Sequence, residues 1–566
     1  MYRWLLAITV LALPTRAFAQ PTPTPTPTPA PGSTTPAPRD RGATPPADDT
    51  AAEAPADDTA AEAPAADVPA SPTPPAPEET DEKAKIRGKS GFMDVRLNLT
   101  FTNENLFAKP GETIPSVPGW RFGSPNSLGT LFFDNYDTRY SGYETLSHAV
   151  LYKDVTTGPW EVEGALVIRI NDVAESRIDL SDAGSYVRVA WWKDPTHKDP
   201  ERFSLVAFPT SSDRMRLGYS YRLSWGGTPE YQRSRTSVPG LKLQYDWGNA
   251  YVYGGAKSAV VLDRSTAEER AVLAFLGGAG VDVTDNFRAE INGGWFDRGP
   301  NELQDVLTEE VNLYGASVQL AMHEGMPVGS SIDYTLYRND PERVGRLFRK
   351  EEYPGGLSWL VKSEATVIGQ TLKDPERTGS TVVQYGKAWD VNARVKLDRT
   401  RFRLDAQVRD LAFILHSTPS LPTYSDFPME YDKTANYFIA AGADQNFADQ
   451  LTLGMVLGLD MPATLTTPTG VIPGDTVGGG GTSTAVIRGG DDITILPENE
   501  SAAPQLAAKF TARLDFAELF ASILDVYYTY DPNQTRLRRS GPEDLLQREF
   551  GEFNQLGVNI TLQARF

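Results

Sequence analysis

The chain has 566 residues, no cysteine, four histidines and a net charge of −20. The lack of cysteine excludes disulfides, thiolate metal sites and a cysteine nucleophile, and four histidines are too few for a histidine-rich metal centre. An acidic chain without a basic stripe argues against nucleic acid as a partner. We therefore expect no cofactor, no bound metal and no nucleic acid.

The N-terminus has the pattern of a secretory signal. Arg3 precedes the short apolar run from Leu5 to Leu13, and residues 17–19 (Ala-Phe-Ala) form a small-x-small cleavage site before Gln20. The apolar run is too short for a membrane-spanning helix. Residues 1–19 are thus predicted to be a cleaved signal peptide, and the mature chain is expected to leave the cytoplasm.

Residues 20–89 contain no aromatic side chain. They begin with Pro-Thr repeats and continue with a nine-residue repeat that occupies residues 47–55 and again 56–64. Such a segment offers almost no apolar surface to offset the entropy of ordering. We predict a disordered, acidic periplasmic tether, which acts as a spacer or binds a periplasmic or cell-wall partner.

From residue 92 onward, apolar and polar residues alternate in runs of about 9 to 13 residues. The clearest runs are Met93–Phe101, Met215–Trp225, Leu451–Met461 and Leu506–Phe516. Alternation with period two indicates β-strands, and these runs exceed the roughly 5–6 residues of a soluble strand. A tilted strand that crosses a bilayer needs about 9–11 residues, and a sheet in lipid must close. Residues 90–566 are therefore predicted to form an all-β, transmembrane antiparallel β-barrel.

The strand number follows from the count of alternating segments. There are 21, beginning near residues 92, 145, 160, 185, 203, 214, 239, 250, 271, 286, 310, 328, 358, 380, 389, 402, 436, 451, 505, 519 and 555. An odd number conflicts with having both ends of the barrel on one side, and the segments at 380 and 389 are taken as one strand. We predict about 18 strands, with 16 to 20 allowed.

The last strand carries the most specific pattern. Alternate residues from Leu556 to Phe566 are apolar, and the residues between them are polar or glycine. This resembles the closing strand of Gram-negative outer-membrane β-barrels, which have a porin-like architecture. The resemblance implies that Ile560, Leu562 and Phe566 form a signal for the barrel-assembly machinery, and that outer-membrane lipid and lipopolysaccharide surround the barrel. It also implies periplasmic chain ends, and hence long extracellular loops at 413–433, 462–503 and 531–553.

In such a barrel the polar face of each strand lines the lumen. In the hairpin 389–409 we expect Leu397 opposite Phe402, which pairs Arg394 with Asp405 and Asp390 with Arg409. The lumen is predicted to be a cationic wall that favours anions or, alternatively, a structural lattice of salt bridges. The predicted pore-lining residues are Arg216, Arg222, Arg288, Asp390, Arg394, Lys396, Arg401, Arg403, Asp405, Arg409 and Arg513, and Lys242 also projects inward.

Catalysis and calcium binding are not expected. Ser147 precedes His148, but adjacent strand residues point to opposite faces. His416 is expected in a loop as a solvated side chain, and His197 and His323 in turns. The carboxylates of the 462–503 loop match no known Ca²⁺ spacing and are interpreted as solvated; they are Asp491, Asp492, Glu498 and Glu500.

The function predicted from these features is a porin-like outer-membrane channel. Small hydrophilic solutes or ions would diffuse through its charged lumen. The alternative is a non-transport or export barrel, a surface, motility or polysaccharide-export component whose tether binds a periplasmic partner. The sequence leaves the solute and the oligomeric state open.

Overall fold

A computed structural model describes most of the chain from residue 91 onward. The described residues are 91–102, 121–122, 148–174, 177–220, 223–227, 231, 237–263, 266–300, 309–333, 335–342, 353, 355–417, 431–467, 481–489, 492–540 and 545–566. The predicted signal peptide and tether lie outside them, so residues 1–89 remain a prediction. No helix in the described ranges is both long and apolar enough to span a membrane.

The described chain is almost entirely β-structure. One short helix, α1 (Leu411–His416), and a 3₁₀ turn (Thr335–Tyr337) interrupt it. The strands are β1 (Gly91–Thr102), β2 (Arg121–Phe122), β3 (His148–Thr157), β4 (Trp160–Ala174), β5 (Arg177–Asp182), β6 (Tyr186–Trp192), β7 (Arg202–Phe208), β8 (Gly240–Trp247), β9 (Ala250–Asp263), β10 (Glu268–Thr284), β11 (Phe287–Pro300), β12 (Glu310–Glu324), β13 (Leu357–Lys373), β14 (Thr381–Leu397), β15 (Thr400–Arg409), β16 (Asp432–Lys433), β17 (Asn436–Phe447), β18 (Leu451–Met461), β19 (Ala463–Thr467), β20 (Ser483–Gly489), β21 (Asp492–Ile495), β22 (Gln505–Asp515), β23 (Phe520–Tyr530), β24 (Thr535–Ser540), β25 (Leu545–Phe550) and β26 (Asn554–Arg565).

Eighteen of these strands form one closed antiparallel barrel, as predicted. The barrel strands are β1, β3, β4, β6 to β15, β17, β18, β22, β23 and β26, each paired with the next. The seam joins β26 to β1, from Asp94 opposite Arg565 to Thr102 opposite Gly557. Closure leaves no open sheet edge in this barrel. Backbone N–H and C=O groups at such an edge would find no hydrogen-bond partner in lipid.

The two ends of the barrel sequence lie at the same rim. The backbone N–H groups of Met93 and Phe566 each donate to the other residue's carbonyl, at 2.9 and 2.8 Å. We call this rim the near rim and the opposite one the far rim. The connection from β14 to β15 at the near rim is only two residues long, Asp398 and Arg399, whereas β18 and β22 are joined at the far rim by residues 462–504. This asymmetry matches the predicted periplasmic near rim, which remains a prediction.

The two faces of the strands differ as the sequence predicts. On β18, Leu457 and Leu459 are 53% and 41% exposed on the outer face, whereas Asp460 is 3% exposed on the inner face. The closing strand shows the same division, with Leu562 outside and Gln563 inside. The barrel therefore presents apolar side chains outward and polar ones inward.

A small four-stranded sheet and the helix α1 cover part of the far rim. β16, β19, β20 and β21 form a second sheet, and its apolar residues pack with Leu411 and Leu415 of α1. The Asp410 side chain caps α1 by accepting the Phe413 N–H at 2.7 Å. The predicted long loop 462–503 is thus partly folded.

Three of the 21 predicted strands do not exist as separate barrel strands. The segments near 380 and 389 form the single strand β14, as expected. The segments near 214 and 328 are not barrel strands: they lie in the connections 209–239 and 325–356, and fold into the lumen. Removing these three leaves the observed eighteen.

Candidate functional site: a lumen crossed by two loops

The first lumen loop, residues 209–239, enters from the far rim; we call it the far loop. Its residues Met215, Leu217, Leu223 and Trp225 are 0–3% exposed and pack into a core within the barrel. The sequence predicted a barrel strand from Met215 to Trp225, and this was wrong. The apolar side chains of this segment pack against the inner face of the barrel instead of facing lipid, and the described polar side chains between them are buried as well.

Glycine in the barrel wall makes room for the far loop. A Cβ added to Gly294 of β11 would lie 2.9 Å from Leu217 Cδ1, and one added to Gly255 of β9 only 2.2 Å from Met215 Cε. On the inner face of the same wall, the ring of Trp225 in the far loop lies 5.6 Å from the ring of Phe296 in β11. The absence of side chains at these glycines therefore lets the far loop lie directly against the wall.

Buried ionic groups of the wall fix the far-loop backbone. The Lys257 ammonium donates to the carbonyls of Ser212 (3.0 Å), Met215 (2.6 Å) and Gly226 (2.6 Å). On β13, Glu364 accepts the N–H groups of Tyr219 and Ser220 at 2.7 and 2.8 Å. Charge-assisted hydrogen bonds of this kind are about twice as strong as neutral ones.

The second lumen loop, residues 325–356, enters from the near rim; we call it the near loop. Its described part runs across the barrel. Arg338 donates twice to Glu163 of β4, both at 2.7 Å, and Asp340 accepts twice from Arg394 of β14, at 2.8 and 2.7 Å. β4 and β14 are nine strands apart in either direction around the eighteen-stranded barrel. Residues 338–340 therefore join opposite walls.

Ionisation of the near-loop groups suits this arrangement. Burial lowers the pKa of Arg338, but its hydrogen bonds to Glu163, together with the nearby acidic groups Glu163, Asp333 and Tyr186, outweigh burial and hold that pKa above its usual value. Burial raises the pKa of Asp333, but the charges of Lys242 and Arg338 outweigh it, so this pKa lies below its usual value. Both groups are charged at neutral pH.

The two loops meet inside the lumen at Tyr219. The Arg394 guanidinium donates to the Tyr219 hydroxyl at 3.2 Å, and that hydroxyl donates to Asp340 at 3.2 Å. The Lys362 ammonium lies 3.4 Å from the centre of the Tyr219 ring, in cation–π contact. A cavity of only about 10 Å³ remains beside Glu364 here, enough for about one water molecule.

The charges of β14 and β15 follow a register different from the predicted one. Leu397 pairs with Thr400, not Phe402, and Arg394 lies opposite Arg403. The turn is tighter than expected because Asp398 adopts a positive φ of 50° and its side chain accepts the Gly356 N–H at 2.8 Å. The expected pairings of Arg394 with Asp405 and of Asp390 with Arg409 were therefore wrong.

Carboxylates from outside the hairpin resolve the repulsion that this register creates. Glu342 of the near loop lies 3.0 Å from Arg394 and 2.7 Å from Arg401. Arg401 also donates twice to Asp444 of β17, at 3.0 and 2.6 Å. The sequence could not reveal these partners because Glu342 lies 52 residues before Arg394, in a loop, and Asp444 lies on a different strand.

The other predicted pore-lining residues lie at scattered positions, and whether they line a conducting path remains a prediction. Arg222 lies outside the described residues. Arg216 is in the far loop and pairs with Asp213 at 2.6 Å; Arg288 pairs with Asp282 at 2.6 Å; Asp390 accepts from Gln407 at 3.0 Å; Lys396 lies 4.6 Å from the centre of the Tyr353 ring; Arg403 is half-buried on the inner face of β15; Asp405 accepts from Asn392; Arg409 donates to Asn436 at 2.9 Å; and Arg513 pairs with Asp515 at 3.1 Å.

A cavity of about 300 Å³ lies between the near loop and the wall from β3 to β8. The wall contributes Glu161, Glu163, Arg188 and Lys242, among others, and the near loop contributes Arg338. Sequence reasoning missed this cavity, although it placed Lys242 inward. The alternating acids of β4, with Arg188 on the neighbouring β6 directly opposite Glu163, were the available signal.

The predicted assembly signal and His416 also have defined positions. Ile560, Leu562 and Phe566 lie on the outer face, and Phe566 makes an edge-to-face contact with Phe520 at 6.0 Å. Their role in assembly remains a prediction. His416 was expected to be solvated, but it ends α1 with 0% exposure, and burial lowers its pKa to about 3. Its position against the barrel wall explains the difference.

The sequence matches no protein-family profile and no curated protein. Solved structures similar to this chain include the outer membrane protein OprD from Pseudomonas aeruginosa (11% identity, 84% of this chain and 94% of that chain, TM-score 0.36). Others are OpdL from Pseudomonas aeruginosa (9%, 84% and 98%, TM-score 0.40) and OmpT from Vibrio cholerae (11%, 84% and 98%, TM-score 0.31). The closed eighteen-stranded barrel of this structure itself confirms the porin-like architecture predicted from the sequence. At such identities and scores, the function must be argued from this chain's own residues.

Proposed function

We propose that this chain is an integral outer-membrane channel for small hydrophilic solutes, with the far loop and the near loop restricting its lumen. The observation that carries the proposal is their meeting at Tyr219 inside a barrel with an apolar outside and a charged inside. A wall of hydrogen-bonding groups replaces the hydration of a polar solute, and the loops limit its size.

The charged wall is proposed to be mixed rather than simply cationic. Arg394 and Arg401 are neutralised by Asp340, Glu342 and Asp444. Such pairing supports positioning of the loops more than attraction of anions. Charge preference would then depend on the inward residues that remain in contact with solvent, such as the half-buried Arg403.

Planar-bilayer recording tests the channel directly. The mature chain is expected to give steady current steps. Asp340→Ala removes one of the two near-loop carboxylates that bind Arg394 of β14 and is expected to enlarge these steps. The interior apolar core around Trp225 and Phe296 favours the second candidate, a non-transport or export barrel. If both proteins stay silent although correctly folded, the channel is refuted and that second candidate gains support.

The tether and the surrounding partners are further parts of the proposal. We place the near rim and residues 20–89 in the periplasm, with lipid and lipopolysaccharide around the barrel and the C-terminal strand binding the assembly machinery. Co-purification with and without residues 20–88 tests for a periplasmic partner. A partner captured equally by both forms would contradict a binding role for the tether.

A further inference from the structure

The cavity between the near loop and the wall has the size and depth of a ligand site. Its volume of about 300 Å³ is at the lower end of the roughly 300–1,000 Å³ typical of small-molecule pockets. Lys242 and Ser204 on the wall are 5% and 3% exposed, and the near loop closes the other side with Asp333 and Arg338. A solute held here would touch both the barrel and the near loop.

The charges around this cavity balance. Four basic side chains line it, and four acidic ones line it or pair with a lining residue. Arg188 lies 3.3 Å from Glu161 and 3.4 Å from Glu163, Arg338 lies 2.7 Å from Glu163, and Arg202 lies 3.0 Å from Asp246. The remaining acid and base are Asp333 and Lys242, which attract each other across the cavity. The cavity thus has no net charge to offer an ion.

Neither a cationic nor an anionic group gains free energy by entering this cavity. An ammonium beside Asp333 would face the positive charges of Lys242, Arg338 and Arg188. A carboxylate beside Lys242 would face Asp333 and Asp246 as well as Arg188 and Arg338, two charges of each sign. Since an ion also loses its hydration on entering, and no unbalanced opposite charge repays that loss, binding of ions is disfavoured.

Hydrogen-bonding capacity nevertheless remains. Within the described residues, no hydrogen bond or ion pair occupies the Lys242 ammonium or the Ser204 hydroxyl. The Gln244 amide donates to Asp246 at 2.8 Å, which leaves its carbonyl oxygen as an acceptor. The cavity surface is therefore small, polar and electrically balanced, and it offers both donors and acceptors.

From this arrangement we propose that the cavity binds an uncharged, polyhydroxylated solute, a mono- or disaccharide. Vicinal hydroxyls donate and accept at once, so they can use the Lys242, Ser204 and Gln244 groups without disturbing the ion pairs. If the barrel conducts as proposed above, this is the class of solute that it carries. The binding itself does not depend on conduction.

Calorimetric titration of the refolded mature chain in detergent tests this inference. The probes are trehalose and glucose, with citrate, lysine and alanine as an anion, a cation and a zwitterion. We expect saturable binding of at least one sugar at millimolar concentration and none of the charged probes. Because calorimetry needs no ion flow, a silent barrel that binds sugar would refute only the channel, and a conducting barrel that binds none would refute only the site.

Variants locate the site. Lys242→Met is expected to weaken sugar binding at least about tenfold, as expected for the loss of a charged hydrogen-bond donor. Ser204→Ala provides a second, smaller change that leaves all charges in place. The control is Arg399→Gln, which removes an exposed near-rim ion pair with Asp449 and should leave binding unchanged. Saturable binding of citrate, lysine or alanine, or sugar binding that survives both cavity variants, would overturn the assignment.

Discussion

The Asp340→Ala substitution tests how the near loop is held. Asp340 is 1% exposed and accepts two hydrogen bonds from the Arg394 guanidinium, at 2.8 and 2.7 Å. Hydrogen bonds to charged groups contribute about 1.5–3 kcal/mol each, and the two share one partner and are not additive. Arg394 keeps Glu342 at 3.0 Å, so it does not become an unpaired buried charge. We therefore expect docking of the near loop to weaken by about 3 kcal/mol, which is about 100-fold in its docked-to-undocked ratio.

Two assays report on this change. Bilayer recording should show larger or more frequent openings, because the undocked loop no longer crosses the lumen. Mass spectrometry after trypsin treatment should detect faster cleavage after Arg338, which is held between Glu163 and the cavity in the folded chain. Glu163→Gln, which loosens the contact of the same loop segment with the opposite wall, should raise the same cleavage.

The control is Arg270→Gln at the far rim. It removes an ion pair with Glu310 whose side chains are 44% and 36% exposed, and exposed pairs contribute little. Conductance and cleavage of this variant should match those of the unmodified chain. If Asp340→Ala also matches the unmodified chain in both assays, the ion pair between Asp340 and Arg394 does not hold the near loop, and the reasoning is refuted.

Lys257→Met should release the far loop, because three backbone carbonyls lose their donor; proteolysis between residues 209 and 239 checks this, and an unchanged rate would contradict it. Arg403→Glu should shift the reversal potential in a salt gradient towards cations, since a half-buried inward charge changes sign, and no shift would exclude it from the conducting path. The pKa of Asp333 is raised by burial but lowered more by Lys242 and Arg338, to below its usual 3.8, so the stability it provides is present above that value and is lost as pH falls through the lowered pKa. Any change in conductance caused by protonation of Asp333 should thus occur only below about pH 4; a change near neutral pH that Asp333→Asn abolishes would contradict this. Deleting Phe566 should reduce the amount of assembled barrel in the membrane, measured by the heat-dependent gel shift, and normal assembly would refute the proposed signal.

The barrel could be predicted because lipid imposes one rule on every strand. Runs such as Leu451–Met461 are long enough to cross a bilayer and have one apolar face, and the structure places that face outside. The same rule led us to predict barrel strands near residues 214 and 328, where the structure has loops inside the lumen. Alternation reports that one face of a segment is apolar, but it does not distinguish lipid from an apolar contact inside the barrel.

The loop contacts could not be predicted because they depend on distant partners. Arg394 has the same pattern as any inward strand residue, and only folding reveals that Asp340 and Glu342 reach it. The register of β14 and β15 failed for the same reason. Local charge pairing favoured the looser turn, but carboxylates from the near loop make the tighter one stable.

The seam between β1 and β26 constrains the order of events during folding. Gln563 donates to Asp94 across 469 residues of sequence, so the cylinder can be sealed only after the last strand has been synthesised. The near loop and the far loop enter the lumen through the two open rims, so the seam sets no order for their packing. Closure of the wall and filling of the lumen are thus separate events: the first waits for the last strand, and the second does not.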